Sequence, residues 1–193
     1  MNNPLNKNPF IILLAFLVLF STLISADESE EGNDLKEPLK NLISQAKVMA
    51  AATTKKDFGK VADLTHPVVI EINGGREGMI SKTSKLMEKM DEAGYSVEVV
   101  KIGDPIDVVN ENEKIFATIP QEVVMKFPAG KIISKSFLLA ISIDKGEIWK
   151  FVDGQGITNK ELKKRLLVPS VLKIPEIEKP KVIGNKSDSE SSE

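Results

Sequence analysis

The chain has 193 residues, of which 41% are hydrophobic and 28% are charged, and its formal net charge is −2. This composition is too apolar for a wholly disordered chain, and the charge is too small to attract nucleic acid through a strong positive field. Cysteine is absent and histidine occurs once, which excludes disulfides and leaves few zinc ligands, so we expect no metal and no cofactor.

The first 26 residues have the three-part pattern of a secretory signal peptide. A polar start with one cation at Lys7 precedes an apolar run from Phe10 to Ile24, and the small residues Ser25 and Ala26 follow. We expect cleavage after Ala26 and export of the mature chain to the periplasm or the extracellular space. The alternative is an uncleaved membrane anchor, although the apolar run is shorter than the ~20 residues that span a bilayer comfortably.

Beyond the leader, the sequence divides into an acidic segment, one folded domain and a tail. Residues 27–34 are rich in Asp and Glu, and we expect them to be flexible. Periodic apolar residues indicate a single α+β domain over residues 35–167. Recurring prolines, followed by Ser, Asp and Glu, predict an extended or disordered tail over residues 168–193.

The first half of the domain begins with two predicted helices. Apolar residues three and four positions apart predict the first helix from Leu35 to Thr53. The capping spacing of Thr54 and Asp57 predicts a shorter second helix after it. This helix should end at His66-Pro67, because a residue that precedes proline is pushed out of the helical region.

A short strand, a long helix and a run of antiparallel strands are predicted next. The β-rich run from Val68 to Ile72 indicates the strand, and apolar spacing predicts the helix from Arg76 to Ala93. At Gly94 the apolar period changes from 3.6 residues to 2, and the turns that follow are too short for parallel strands. The predicted elements after Gly94 are the strands Tyr95–Ile102, Lys114–Phe127 (bent or bulged at Pro120), Lys131–Ile143 and Glu147–Val152, and a last helix, Thr158–Leu167.

Three stretches of local sequence carry a resemblance: Asp57–Pro67, the Gly-Gly-Arg-Glu run 74–77, and Ser136–Ser142 with Trp149–Asp153. Together with the order of elements, they resemble the nuclear transport factor 2-like superfamily, also called SnoaL-like or cystatin-like. The resemblance implies a cone-shaped α+β fold with three N-terminal helices packed on a curved antiparallel sheet. It also implies that the cone holds an active site, a ligand or only side chains, since the fold serves all three.

The candidate catalytic residues are built around the single histidine. His66 could act as a general acid or base, and Asp63 lies one helical turn earlier, which resembles the His–Asp pair of dehydratases in this superfamily. Asp153 ends the last predicted strand, from which its carboxylate could reach the mouth of the cone. The structural alternatives are that His66 caps the second helix before a proline turn and that Asp153 is a solvated strand end.

The candidate binding residues lie on the predicted sheet and the third helix. Tyr95 and Trp149 are the only residues of their types, and together with Met87 and Phe137 we expect them to line a pocket, unless they only fill the core. Arg76 follows two glycines at a helix N-terminus and is a candidate for binding an anion, although a tight turn needs the same glycines.

The burial of the sheet is predicted from the strand Lys131–Ile143. Alternation places its side chains on two opposite faces. We expect Phe137, Leu139, Ile141 and Ile143 to face the core, and Ser134, Ser136, Leu138, Ala140 and Ser142 to lie on the other face.

These patterns favour an exported, non-catalytic binding or association module with a small apolar ligand in the cone. One alternative is an isomerase or dehydratase that uses His66 with a nearby acid. The other is a filled cone that acts only as a homodimerisation domain through its outer sheet face. We expect no nucleic-acid partner and no membrane-spanning segment in the mature form.

Overall fold

The computed structural model describes residues 35–184, so the predicted leader, the acidic segment and the last nine residues lie outside the described residues. The described chain is an α+β structure with an open, antiparallel, six-stranded sheet. This confirms the predicted fold class at the level of α+β. From Glu37 onward, the described residues belong to one unit. None of the described helices is both long and apolar enough to cross a membrane.

The first two helices begin and end close to their predicted positions. α1 spans Lys36–Thr54 and α2 spans Phe58–Leu64. The N-cap of α2 is Asp57, whose carboxylate accepts a hydrogen bond from the backbone N–H of Lys60 at 3.0 Å. Of the predicted capping pair Thr54 and Asp57, Asp57 is therefore the N-cap, because an Asp side chain accepts a hydrogen bond from a free N–H at the start of a helix.

The predicted strand Val68–Ile72 is wrong, because these residues form the helix α3, Pro67–Ile72. Its N-cap is His66, whose Nδ1 accepts a hydrogen bond from the N–H of Val68 at 3.3 Å. Proline suits the first helical position, since the N–H that it lacks would have no partner within the helix. These start signals outweigh the strand preference of the β-branched residues. The long helix α4, Gly75–Glu92, follows and ends before Gly94.

The sheet is built around one long hairpin. β3 pairs with the whole of β4 from Ile115 to Phe127, β1 and β2 both pair with β3, and β5 and β6 both pair with β4. The sequence did not predict β2 and β6. The strands are β1 Ser96–Ile102, β2 Asp107–Glu111, β3 Lys114–Phe127, β4 Gly130–Ser142, β5 Lys150–Asp153 and β6 Lys181–Gly184.

Of the bend or bulge predicted at Pro120, the bulge is wrong, since Pro120 pairs with Phe137 in an unbroken β3–β4 register. The irregular step in the sheet lies in β1, between Val97 and Val99. Pro120 lies where the neighbour of β3 changes from β1 to β2, and its carbonyl accepts a hydrogen bond from Gly103 at 3.0 Å. A proline has no N–H to donate, so at this junction it costs the β-ladder few backbone hydrogen bonds.

Both faces of the central strands are buried. Phe137, Leu139 and Ile141 alternate onto one face, which we call the Phe137 face, and Leu138 and Ala140 onto the other, the Leu138 face. The Phe137 face forms a cluster with the C-terminal part of the chain, which contains the short helices α5, Gly154–Ile157, and α6, Lys160–Arg165. The buried members of this cluster are Phe116, Phe137, Leu139, Ile141, Val152, Ile157, Leu162, Leu166 and Leu172.

The predicted core side of β4 is confirmed for Phe137, Leu139 and Ile141, but the opposite face is buried as well. Leu138 and Ala140 expose 4% and 0% of their surface, against 0% and 3% for Leu139 and Ile141. Ile143 was predicted to face the core and is instead 74% exposed, because β4 ends at Ser142. Most other buried apolar residues belong to α1, α2 and the Leu138 face, so we infer that the N-terminal helices cover that face.

Past α6, residues 168–184 of the predicted tail pack on the domain and pair with its sheet. We call residues 173–180, which connect Leu172 to β6, the strap. At its start, the carbonyl of Lys173 accepts a hydrogen bond from Thr118 Oγ1 at 3.1 Å, and its N–H donates to Asp107 Oδ2 at 2.8 Å. At its end, β6 pairs with β4. The strap therefore crosses the Phe137 face between two fixed points.

Candidate binding site

An open groove of about 460 Å³ lies between the strap and the junction of β1 with β2. We call it the strap groove. Its walls include Pro120 from β3 and Pro175 from the strap, and most of its surface is apolar. The other apolar side chains are Ile102 and Ile106, and the charged side chains around them are Lys101, Glu122, Lys135, Glu176 and Glu178.

Four of the five charged side chains of the strap groove neutralise one another in two pairs. Lys101 Nζ lies 2.8 Å from Glu122 Oε1, and Lys135 Nζ lies 3.9 Å from Glu178 Oε1. The hydrogen bond from Lys101 lowers the pKa of Glu122, and the charges of Lys101 and Lys135 act in the same direction. Because only the charge of Glu176 is left over, the groove offers no strong field of one sign to a highly charged ligand.

A second groove, of about 450 Å³, lies on the other side of the strap. It is formed by the strap, by Phe137 and by α5 with the start of the following turn. Pro175 and Glu176 line both grooves, so the strap is their shared wall. Phe137, predicted to line a pocket, lines this one, although only 1% of its surface is exposed.

The other three predicted pocket residues lie elsewhere. Tyr95 stacks on Phe127, with ring centroids 5.7 Å apart and planes 13° apart. Trp149 is fully buried beside α1, and its indole N–H donates to the carbonyls of Pro38 and Gly146. Met87 is a buried residue of α4. None of these three lines either groove.

His66 is a helix cap, but it caps the start of α3 and not the end of α2 as its structural alternative predicted, since the C-cap of α2 is Thr65. Its ring caps α3, and its backbone N–H donates to the carbonyl of Phe151 at 3.0 Å. Burial lowers the pKa of the imidazole, and the positive charges of Lys114 and Lys150 lower it further. A neutral ring is what the cap requires, because Nδ1 must accept a hydrogen bond.

Asp63 is bonded to Arg76 and not to His66. Its Oδ1 accepts from Arg76 Nε at 2.9 Å, and this hydrogen bond is the main cause that lowers the pKa of Asp63. Arg76 also donates to Glu77 Oε1 at 3.2 Å and to the carbonyl of Gly59 at 3.3 Å. The guanidinium thus joins α4 to α2, and an anion would have to compete with two carboxylates for it.

Asp153 is a helix cap at the end of β5. One carboxylate oxygen accepts from the N–H of Gln155 at 2.9 Å, and the other accepts from Gln121 Nε2 at 2.8 Å. The same amide nitrogen donates to Ser136 Oγ at 2.9 Å. Gln121, which the sequence did not indicate, thus links β3, β4 and β5 on the Leu138 face.

The strap's contribution to the groove, Pro175, Glu176 and Glu178, was missed because an extended or disordered tail offers no fixed wall. A signal was present in the sequence: Leu172, Ile174 and Ile177 are spaced among the prolines of the tail, and all three pack on the Phe137 cluster. Apolar residues at such intervals indicate a segment that covers a surface. Polar and charged residues alone would be typical of a solvated tail.

The side-chain chemistry of the two grooves and the comparisons with known proteins define this protein by its fold alone. Within residues 35–184, no three His, Asp or Glu side chains are grouped so as to hold a metal ion. No protein-family model matches the chain, and no curated protein matches its sequence. The described chain is an α+β protein with an antiparallel sheet and two grooves beside its C-terminal strap.

Proposed function

We propose that this protein is an exported, non-catalytic binding module that holds a small apolar molecule in the strap groove. Export rests on the leader pattern of residues 1–26. The proposal includes membership of the nuclear transport factor 2-like superfamily, for which the N-terminal helices and the long β3–β4 hairpin are the support. The observation that carries the binding function is the mostly apolar groove of about 460 Å³ beside the strap.

The size and lining of the groove suit a small ligand. Pockets of ~300–1,000 Å³ with mainly apolar walls and a few polar groups are typical of small-molecule sites. Ile102, Ile106 and Pro120 supply the apolar walls, while the paired charges at the rim can orient a polar end of the ligand. A largely uncharged molecule fits this lining better than a phosphate or a nucleotide.

The candidate catalytic side chains are already used in structural hydrogen bonds and ion pairs, which supports a non-catalytic role. His66 is used as a cap, Asp63 is held by Arg76, and Asp153 is bonded at both oxygens. None of these groups lines either groove. A general base has to lie within hydrogen-bond reach of its substrate, so these positions do not favour an isomerase or dehydratase.

The dimerisation alternative would need a free sheet face. The centre of the sheet is buried on both faces, and on the Phe137 face the chain's own C-terminal segment provides the cover. This arrangement favours a binding role for the gaps beside the strap over an association role for the sheet itself.

The test is ligand retention by the protein purified from its own host, measured by native mass spectrometry. We expect an added mass that organic extraction removes. Ile106→Asp places a charge in the groove and should lower binding of the extracted molecule, or of a fluorescent apolar probe, by about tenfold or more. Ile143→Asp is the matched control, since Ile143 is 74% exposed and lines neither groove. Equal binding by the two variants would contradict the proposal.

A further inference from the structure

A basic segment surrounds α6, on a part of the surface outside the strap groove. Residues 160–173 contain five basic residues and one acidic residue, in a chain whose net charge is −2. Within the described part of the chain, Lys160, Lys163 and Lys164 form no ion pair, whereas Arg165 is paired with Glu71 at 2.8 Å. We call this segment the α6 patch. Its positive charge is therefore largely available to an outside partner.

Two aliphatic side chains protrude from the same patch. Leu167 is 67% exposed and Val171 is 72% exposed. Their neighbours Leu166 and Leu172 expose only 3% and 4% of their surface. These two residues fix the segment to the core, while Leu167 and Val171 point away from it. Neither side chain lines a groove. They are exposed apolar side chains outside both grooves.

The backbone at Leu167 is unusual for a leucine. Its φ is +54°, in the left-handed region, directly after the C-cap of α6. Glycine or asparagine is the common residue at this place in a helix ending, because a larger side chain is strained there. The chain therefore keeps a strained, exposed leucine next to unpaired lysines, which folding and solubility alone do not explain.

We propose that the α6 patch binds the surface of an anionic lipid bilayer, with Leu167 and Val171 inserted among the lipids. Lysines near an anionic bilayer are attracted to it, and aliphatic side chains gain by leaving water at the interface. A protein partner would have to offer a hollow for two projecting side chains, whereas a lipid surface adapts to them. This inference is independent of the strap groove and its ligand.

Sedimentation of the full chain with lipid vesicles tests the proposal. We compare vesicles of phosphatidylcholine with vesicles that contain phosphatidylglycerol, because an apolar leader would bind both whereas the basic patch distinguishes them. Wild type should prefer the anionic vesicles, and added salt should reduce that preference. K160Q/K164Q should weaken the binding to anionic vesicles by about tenfold or more. K82Q/K85Q, on the exposed side of α4, is the matched control and should bind as wild type does.

Leu167→Asn separates membrane binding from folding. Asparagine tolerates the left-handed backbone better than leucine, so this variant should raise the melting temperature while it weakens vesicle binding several-fold. Ile143→Ser is its control for the loss of one exposed aliphatic side chain. The proposal is overturned if wild type does not prefer anionic vesicles, or if the patch variants bind as well as their controls. A dimer that Leu167→Asn dissociates would also overturn it, since a second copy would then cover the patch.

Discussion

The loop that contains Trp149 and the strap are both held on the rest of the fold, but by different kinds of contact. Trp149, in the loop before β5, is fully buried and makes three hydrogen bonds, to Gln45, Pro38 and Gly146. The strap, in contrast, is held at Lys173 and β6, and it leaves a groove on each side. Dense packing fixes the first region, and looser packing gives the second room for a ligand.

The largest expected effect is the loss of the tryptophan contact. Trp149→Ala removes a fully buried aromatic side chain, and we expect the free energy of unfolding to fall by about 3–5 kcal/mol. Trp149→Phe keeps a ring but loses the indole N–H, and should cost less, leaving the carbonyls of Pro38 and Gly146 without this donor. Urea titration measures both. Equal losses would mean that packing contributes little to this contact.

A glycine in β4 tests the strap from its far end. A Cβ added at Gly130 would lie 1.9 Å from the carbonyl oxygen of Ile183, and the φ of Gly130 is +149°. We expect Gly130→Ala to displace β6 and to destabilise the protein by roughly 1–3 kcal/mol. Hydrogen exchange should show faster exchange at β6 and unchanged exchange in α1.

The control for that variant is Gly184→Ala, where the nearest atom would lie 3.8 Å from the added Cβ. It keeps the number of glycine-to-alanine changes the same and should leave β6 in place. If β6 shows the same hydrogen exchange in both variants, its pairing with β4 does not require a residue without a side chain at position 130.

A smaller effect is expected at the near end of the strap. Thr118 is fully buried, and Thr118→Val removes the hydrogen bond to the carbonyl of Lys173 while it keeps the shape of the side chain. The cost should be about 1 kcal/mol. Because the strap forms one wall of the groove, ligand affinity should change as well. Unchanged affinity together with lowered stability would show that this bond does not position the wall.

The smallest effect expected is the response to acid at His66. Its pKa in the folded protein is lowered from the ordinary value of 6.5, mainly by burial, so the unfolded chain binds the proton more readily. Stability from the neutral ring is therefore complete above pH 6.5 and is lost as the pH falls from there through the lowered pKa. Val68 and Val69 of α3 pack on the Phe137 cluster, so the loss should appear on that side of the sheet.

His66→Asn provides the control for this pH dependence. Asparagine can cap α3 but does not titrate, so the variant should lose part of the decrease in melting temperature between pH 7.5 and pH 5. If the melting temperature of His66→Asn decreases with pH as much as that of wild type, groups other than His66 cause the decrease.

The long elements could be read from the sequence because their signals are local. The apolar spacing of α1 and α4 and the period-two pattern of β3 gave bounds within one residue of those in the structure. α3 was missed because His66-Pro67 indicated only the end of the second helix, and the four β-branched residues that follow indicated a strand. β6 was missed because a four-residue edge strand has almost no pattern of its own, and its pairing depends on Gly130.

The candidate site depended on distant contacts, and the sequence predicted it poorly. Asp63 lies three positions before His66, yet it bonds to Arg76 on another helix. Trp149 was a candidate either for a pocket or for the core, and the structure buries it, with its indole N–H donating to Pro38 of α1. Spacing along the chain indicates which groups can meet within one helix, but it does not indicate which of several partners across the fold takes the hydrogen bond.

The sequence by itself determined the class of the fold, the long helices and the β3–β4 hairpin, because capping groups and apolar periodicity act over a few residues. Only the tertiary structure decided that both sheet faces are buried, that the tail crosses the Phe137 face and that the grooves lie beside it. Those outcomes depend on residues 50 or more positions apart, such as Thr118 and Lys173, whose contact is separated by 55 residues. Such contacts form only when the whole chain has folded around its core.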